Sequence, residues 1–205
     1  MVFMFETEKL LKQQLQEVKL WHGVLPEADF SAAEDFPKLV STQHQVNFEL
    51  WHQEDMARDP DVSDSKIAAV KRAIDVFNQR RNDLIEQMDQ FLLNIINAEN
   101  EKNNAETEMN SETPGSMIDR LSINALKIYH MDEEIQREEA TAEHREKCVA
   151  KLSVLREQRE DLAHSLAKLL ADLISGEKRL KVYQQMKMYN DESLNPVLYR
   201  KRESK

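Results

Sequence analysis

Two long stretches of this chain place apolar residues in alternating steps of three and four, and each is broken once, at the same step, by an arginine. In the first, Ile67, Val70, Ile74, Phe77, Leu84, Met88, Phe91 and Ile95 keep helical spacing and Arg81 interrupts it. In the second, Cys148, Leu152, Leu155, Leu162, Leu166, Leu169 and Leu173 keep it and Arg159 interrupts it. The interval between the two arginines is the same one that relates 50–55 (LWHQED) to 128–133 (IYHMDE). What recurs is polar chemistry as well as apolar filling, which points to a duplicated supersecondary unit with a pseudo-symmetric polar centre.

The period predicts an all-α fold. A first helix is expected over about residues 5–21, an irregular connection over 22–37 tacked down by Phe30 and Phe36, and a second helix over 38–57 that Pro60 ends. A long third helix starts at a cap on Ser63 or Asp64. Residues 97–115 read as a flexible loop. Ser116 is the expected cap of the next helix, with Asp119 returning the bond, and that helix runs to 136. The last runs over 143–175 and breaks, or continues, at Gly176. The whole of 1–205 is then one helical domain: an antiparallel four-helix bundle from two pseudo-twofold-related hairpins, roughly 40–100 and 118–176. An extra N-terminal helix and a C-terminal segment pack outside it.

Composition excludes several classes. Lys and Arg number 28 against 38 Asp and Glu, a net charge of −10, which is the wrong sign for a general nucleic-acid binder. Three Gly and five Pro leave little material for the turns of a sheet protein, and the single Cys148 forms no internal disulfide. No stretch approaches the roughly 18 apolar residues of a membrane span. We expect a cytoplasmic protein with no membrane span; the short basic run Arg200, Lys201, Arg202 reads as a solvated tail.

The candidate polar centre consists of Trp51, His52, Glu54, Asp55, Arg81 and Asp83 with their counterparts Tyr129, His130, Asp132, Glu133, Arg159 and Asp161. Glu54 and Asp132 fall on apolar helix stripes facing the arginine seams. Buried pairs of Arg81 and Arg159 with Glu54 and Asp132 follow, either to fix register or to line a pocket for a small anionic ligand. Each His has a carboxylate one turn on, Asp55 or Glu133, able to orient it. For metals the sequence offers only weak candidates. Glu49 with His52 is half of a carboxylate-bridged di-iron pattern, and the other half fails because Lys127 stands where Glu49 should recur. Asp83, Glu86 and Asp89 form an acidic ladder able to hold Mg²⁺ against a substrate phosphate, as in all-α nucleotide pyrophosphohydrolases. No other cofactor is expected.

Taken together, 47–58 (NFELWHQEDMAR), 71–86 (KRAIDVFNQRRNDLIE), 112–122 (ETPGSMIDRLS), 127–131 (KIYHM) and 187–191 (KMYND) with Leu194, Asn195 and Pro196 resemble the bacterial family called domain of unknown function 4254. The resemblance implies a small bacterial protein of unassigned activity, with members often encoded among genes for envelope polysaccharide or glycosyl transfer. It supplies no catalytic residues. The lack of a complete catalytic constellation favours a non-catalytic module that binds a protein partner or a small anionic ligand. The alternative is a metal-dependent phosphohydrolase acting on a nucleotide or sugar phosphate.

Overall fold

Helix starts in this chain are written in short cap sequences. Asp35 accepts the Lys38 N–H at 2.8 Å, and Pro37 occupies the first turn where its missing donor costs nothing. Thr113 does the same for the Ser116 N–H, followed by Pro114, and Thr141 for the His144 N–H. A computed structural model describes residues 6–24, 35–99, 106–184, 186 and 193–194. It contains α1 (Thr7–Gly23), α2 (Phe36–Arg58), α3 (Asp64–Glu99), α4 (Pro114–Gln136) and α5 (Ala142–Ser175). The fold is all-α. The boundaries of α4 repeat those of α2 at the interval that separates Arg81 from Arg159 (114 against 36, 136 against 58), and α5 starts at the same interval after α3 (142 against 64). Among the described residues no helix is long and apolar enough to cross a membrane.

Two expectations need correction. Helix α4 begins two residues before Ser116, because Thr113 is the cap and Pro114 the first helical residue, which frees Asp119 for a buried role. The loop over 97–115 is pinned in its second half. Arg179 N–H donates to Glu108 O at 3.0 Å, Asn110 N–H donates to Arg179 O at 3.2 Å, and the Arg179 guanidinium reaches Thr107 O. The chain makes this return because α5 stops at Gly176, whose φ of 78° is the left-handed conformation that glycine adopts freely. Residues 100–105, the Phe30 connection and the basic tail lie outside the described residues.

Helices α2 and α3 form one hairpin and α4 and α5 the other, joined through α2–α4, α3–α4 and α3–α5 packing, with α1 laid on α4, α5 and α2. Residues 42–48 of α2 are buried without a break, so this helix is covered on every side and its polar residues there must find partners inside the protein. Near the end of α3 the buried positions are Leu92 and Ile96, while Phe91 and Ile95 are half-buried. A straight helix of 3.6 residues per turn drifts away from a strict seven-residue repeat, and the buried edge moves with it.

Steps of four along three helices build a common set of layers. On α1 the steps are Leu10, Gln14, Val18 and His22; on α2, Val40, His44, Phe48 and His52; on α4, Ile118, Ser122, Leu126 and His130. Leu10, Val40 and Ile118 belong to the large core cluster, and Val18, Phe48 and Leu126 to a smaller one. Gln14, His44 and Ser122 meet between the clusters, and the three remaining histidines meet beyond the second. The layers come in the same chain order on all three helices, so α1, α2 and α4 run parallel and α3 and α5 return between them.

Helices α3 and α4 approach closely where α4 starts. A Cβ on Gly115 would lie 2.7 Å from Ile85 O and 2.8 Å from Asp89 Oδ1, and Asp89 itself accepts the Gly115 N–H at 2.6 Å. A carbonyl inside a helix has no room to retreat. Gly115→Ala should therefore cost about 1–3 kcal/mol by overpacking, read as a lowered denaturant midpoint with an unchanged slope; an unchanged midpoint contradicts the packing described.

Candidate metal centre

The polar layer explains how the upper site is held. Asp119, almost fully buried on α4, accepts from Gln43 Nε2 at 2.6 Å, Asn47 Nδ2 at 3.0 Å, and Arg81 Nε and Nη2 at 2.7 and 2.5 Å. That hydrogen-bonded contact holds the Arg81 guanidinium above its ordinary pKa in spite of burial. A second chain of bonds crosses the layer. Asn47 Nδ2 donates to Ser122 Oγ at 2.9 Å, Ser122 hydroxyl lies 2.6 Å from His44 Nδ1, and His44 Nε2 lies 2.9 Å from Gln14 O. Since a carbonyl only accepts, Nε2 carries the proton and Nδ1 accepts from the serine. Burial, with the Arg159 charge adding to it, pushes the His44 pKa down to about 4, so the ring is neutral in this setting.

The arginine pairing differs from expectation. Arg81 meets Asp119, whereas Glu54 binds Arg58 at 2.8 Å on the surface and Asp132 accepts from Gln136 at 2.5 Å. Both expected acids sit near the C-terminal ends of their helices, above the level that the arginines reach. Arg159 is buried and meets no carboxylate among the described residues. Its guanidinium donates to Leu121 O, Leu11 O and Gln14 Oε1, and burial lowers its pKa to about 10. It remains charged at neutral pH, held by neutral acceptors on α4 and α1.

Beyond the smaller core cluster, His22, His52 and His130 bring ring nitrogens to within 4.8 Å of one another. His22 Nδ1 donates to Val18 O at 2.8 Å and His130 Nδ1 to Glu133 Oε2 at 2.8 Å, so in both rings Nε2 is left with its lone pair. Both Nε2 atoms are buried without a hydrogen-bond partner. Tyr129 stacks on His22 at 4.1 Å and Trp51 on His130 at 4.9 Å, fixing the ring planes. Burial, and then repulsion by His22 and His130, pushes the His52 pKa down. Three ring nitrogens thus converge, and two of them are buried without a partner. Tetrahedral ligation at about 2.0–2.1 Å sets nitrogens about 3.4 Å apart, so modest ring movements close the site on an ion.

The other candidate residues stand apart. Asp55 lies at the surface 3.9 Å from Arg58 and does not bond His52; Asp161 is exposed. Glu49 is half-buried with its pKa raised by burial and is not among the grouped ligands. The acidic ladder does not assemble: Asp83 accepts from Gln79 at 3.2 Å, Glu86 is half-buried, and Asp89 turns inward to the start of α4. Among the described residues, the one group of three or more potential ligands is the histidine cluster. Sequence reasoning misses His22 and the polar layer of Gln14, Gln43, His44, Asn47, Asp119 and Ser122. A signal for the layer exists, since Ser122 lies 78 residues after His44 and is its bonding partner.

Residues 37–182 match the family described as a protein of unknown function, DUF4254. The chain belongs to that family. No curated protein and no solved structure matches it. The match takes in His52 and His130 of the DUF4254 domain, while α1, with His22, precedes it.

The polar layer can be tested in two ways. Arg81→Met leaves Asp119 buried with only amide donors and should cost about 3–5 kcal/mol, much of it recovered in the double variant with Asp119→Asn; urea unfolding measures both, and a single variant as stable as the parent sinks the pairing argument. The second test concerns acid. His44 is depressed from 6.5 to about 4, so its contribution is complete above the unfolded pKa and is lost as pH falls toward 4. Asp89 is raised from 3.8 to about 6, chiefly by burial, so the folded state takes up its proton and gains stability over nearly the same window. The two offset each other in the parent. With Asp89→Asn the loss at His44 stands alone, about 2 kcal/mol between about pH 7 and pH 5, against less than about 1 in the parent; equal slopes in the two proteins refute the assignment.

Proposed function

We propose that this DUF4254 protein is a transition-metal protein whose centre is His22, His52 and His130, and that it is an enzyme using the ion as a Lewis acid in a hydrolytic step. The carrying observation is the convergence of three imidazoles, two with their other nitrogen already within hydrogen-bond distance of a backbone carbonyl or a carboxylate. That is the arrangement in which outer partners fix the tautomer of metal-ligating histidines. The donor set has no carboxylate or thiolate, which favours Zn²⁺, Ni²⁺, Co²⁺ or Cu²⁺ over Mg²⁺ or Ca²⁺. Three protein ligands leave a fourth position for water or substrate, the pattern of catalytic rather than structural zinc sites. Glu133 orients His130 and also bonds the Tyr129 hydroxyl, so it tunes two members of the site.

A non-catalytic reading keeps the same ion and is favoured by one observation. His22 comes from α1, outside both hairpins, so the ion joins α1 to α2 and α4 and would serve as a clamp that completes a binding module. The envelope-glycan setting implied by the family resemblance makes sugar phosphates and nucleotide sugars the first substrates to test.

Cobalt(II) titration decides the metal centre. We expect one ion per chain, visible bands of a four- or five-coordinate site, displacement by Zn²⁺, and loss of binding in His52→Ala but not in the control His164→Ala. Binding should weaken in acid, because protons compete for the imidazole ligands. A six-coordinate aqua spectrum, identical in parent and His52→Ala, would falsify the site. Turnover of a phosphate ester by the zinc-loaded parent separates the enzyme from the clamp.

A further inference from the structure

Between α4, α5 and Trp51 of α2 lies a cavity of about 570 Å³, within the range of about 300–1,000 Å³ of small-molecule sites. Trp51, Met131, Val154 and Leu155 line it, and the surface its walls present is almost wholly apolar. Val154 keeps 51% of its surface exposed. His130 also borders the space, but its Nε2 is buried, so the nitrogen assigned to the metal is not open to it.

Two lysines, Lys127 and Lys151, line the same cavity, and both are exposed. A lysine beside apolar surface lays its methylenes on the wall and carries its ammonium out to water, so positive charge collects at the mouth. The sequence gives neither lysine a local counter-ion. One turn to either side of Lys127 stand Ile123, Asn124, His130 and Met131; around Lys151 stand Lys147, Cys148, Val154 and Leu155. Elsewhere on the long helices a lysine pairs with an acid four residues away, as Lys71 does with Asp75, Lys147 with Glu143 and Lys168 with Asp172. Among the described residues, Lys127 and Lys151 have no such partner. The one carboxylate in the wall, Glu134, is spent on Arg137 and His144. In a chain of net charge −10, two cations left unmatched around an apolar space call for an anion from outside. The neighbouring polar hollow, which shares Lys127 and Gln158, carries the Glu112 and Asp161 side chains, so the anion belongs on the apolar side. The first hairpin does not repeat the feature. Glu49 and Ala73 stand at the positions of Lys127 and Lys151, and Phe77, at that of Leu155, packs against the large core cluster.

We propose that this cavity binds an amphiphilic anion, an apolar chain or ring that lies against Trp51, Val154 and Leu155 and ends in a carboxylate or phosphate held by Lys127 and Lys151. The proposal goes beyond the metal reading and does not depend on it.

The test is a nitrogen-15 correlation spectrum of the metal-free full chain, titrated separately with decanoate, decyltrimethylammonium and acetate, each below its aggregation concentration. The Trp51 indole N–H, one of two in the chain, is the reporter. We expect it to shift saturably with decanoate, at least about tenfold more weakly with the cation of the same chain length, and not at all with acetate. The double variant Lys127→Gln, Lys151→Gln alters only exposed side chains and should weaken decanoate at least about fivefold. Ala150→Trp fills the cavity from α5 and should weaken it at least about tenfold. No saturable shift with decanoate, equal binding of the cation, or decanoate affinity unchanged in the lysine double variant each overturns the proposal. So does a dimer in sedimentation velocity that Ala150→Trp disperses, since a second copy then covers the cavity. If Ala150→Trp fails to fold, Val154→Trp fills the same space and carries the same expectation.

Discussion

The carboxylate of Asp119 sets the heights of everything else. It accepts from Gln43 and Asn47 on α2 and from Arg81 on α3, so one side chain of the second hairpin binds both helices of the first. Apolar surfaces tolerate sliding by a turn, since one leucine resembles another. A buried carboxylate does not, because a shift of one helical turn leaves it without donors in a medium where that costs several kcal/mol. With α2 and α4 registered at this level, His52 and His130 arrive at a common level two turns above His44 and Ser122, about 12 Å along the helices. The upper site inherits its geometry from the lower one.

The first helix completes both levels. Gln14 and His22 lie two turns apart on one face, and they enter the polar layer and the histidine cluster respectively. This accounts for the unequal fates of the two arginines. Arg81 has a carboxylate because Asp119 stands within its reach. The residue of the first hairpin that corresponds to Asp119 in the repeat is Ser41, which bonds Glu17 of α1, so Arg159 has no equivalent acid and turns to the carbonyls of Leu11 and Leu121 and to the Gln14 amide. Pseudo-symmetry in the sequence is broken where a fifth helix lies against both helices of one hairpin and only one helix of the other.

What the sequence discloses divides along physical lines. Helix existence and spacing are legible, because Pro37, Pro60, Pro114 and Gly176 punctuate the chain and the apolar steps are regular. The importance of Arg81, Arg159, His52 and His130 is legible from the repeat. Their partners are not. A hydrogen bond between helices depends on which turn faces which, and Glu54 and Asp132 look suitable from helical phase alone although they stand too far along their helices. His22 escapes because it lies outside the repeat, and Asp119 because a capping role near Ser116 accounts for it locally. The unbroken burial of 42–48, with Gln43, His44, Gln45 and Asn47 inside it, shows that α2 is enclosed, and polar residues in such a run carry no periodic mark of it.

The layers also differ in how far they satisfy themselves. The two apolar layers are complementary by packing alone. The polar layer closes through a directed chain, amide to serine to imidazole to carbonyl, and leaves Gln43 Oε1 and Asn47 Oδ1 buried without a partner. In the histidine layer Nδ1 of two rings is spent on fixed acceptors, and Nε2 of each is buried without a partner. Such an arrangement contributes less to stability than an apolar layer of the same size would. Its retention in the stack follows if, as proposed above, a cation supplies the missing complement; the fourth layer is then the one that binds, and the three beneath it hold it to shape.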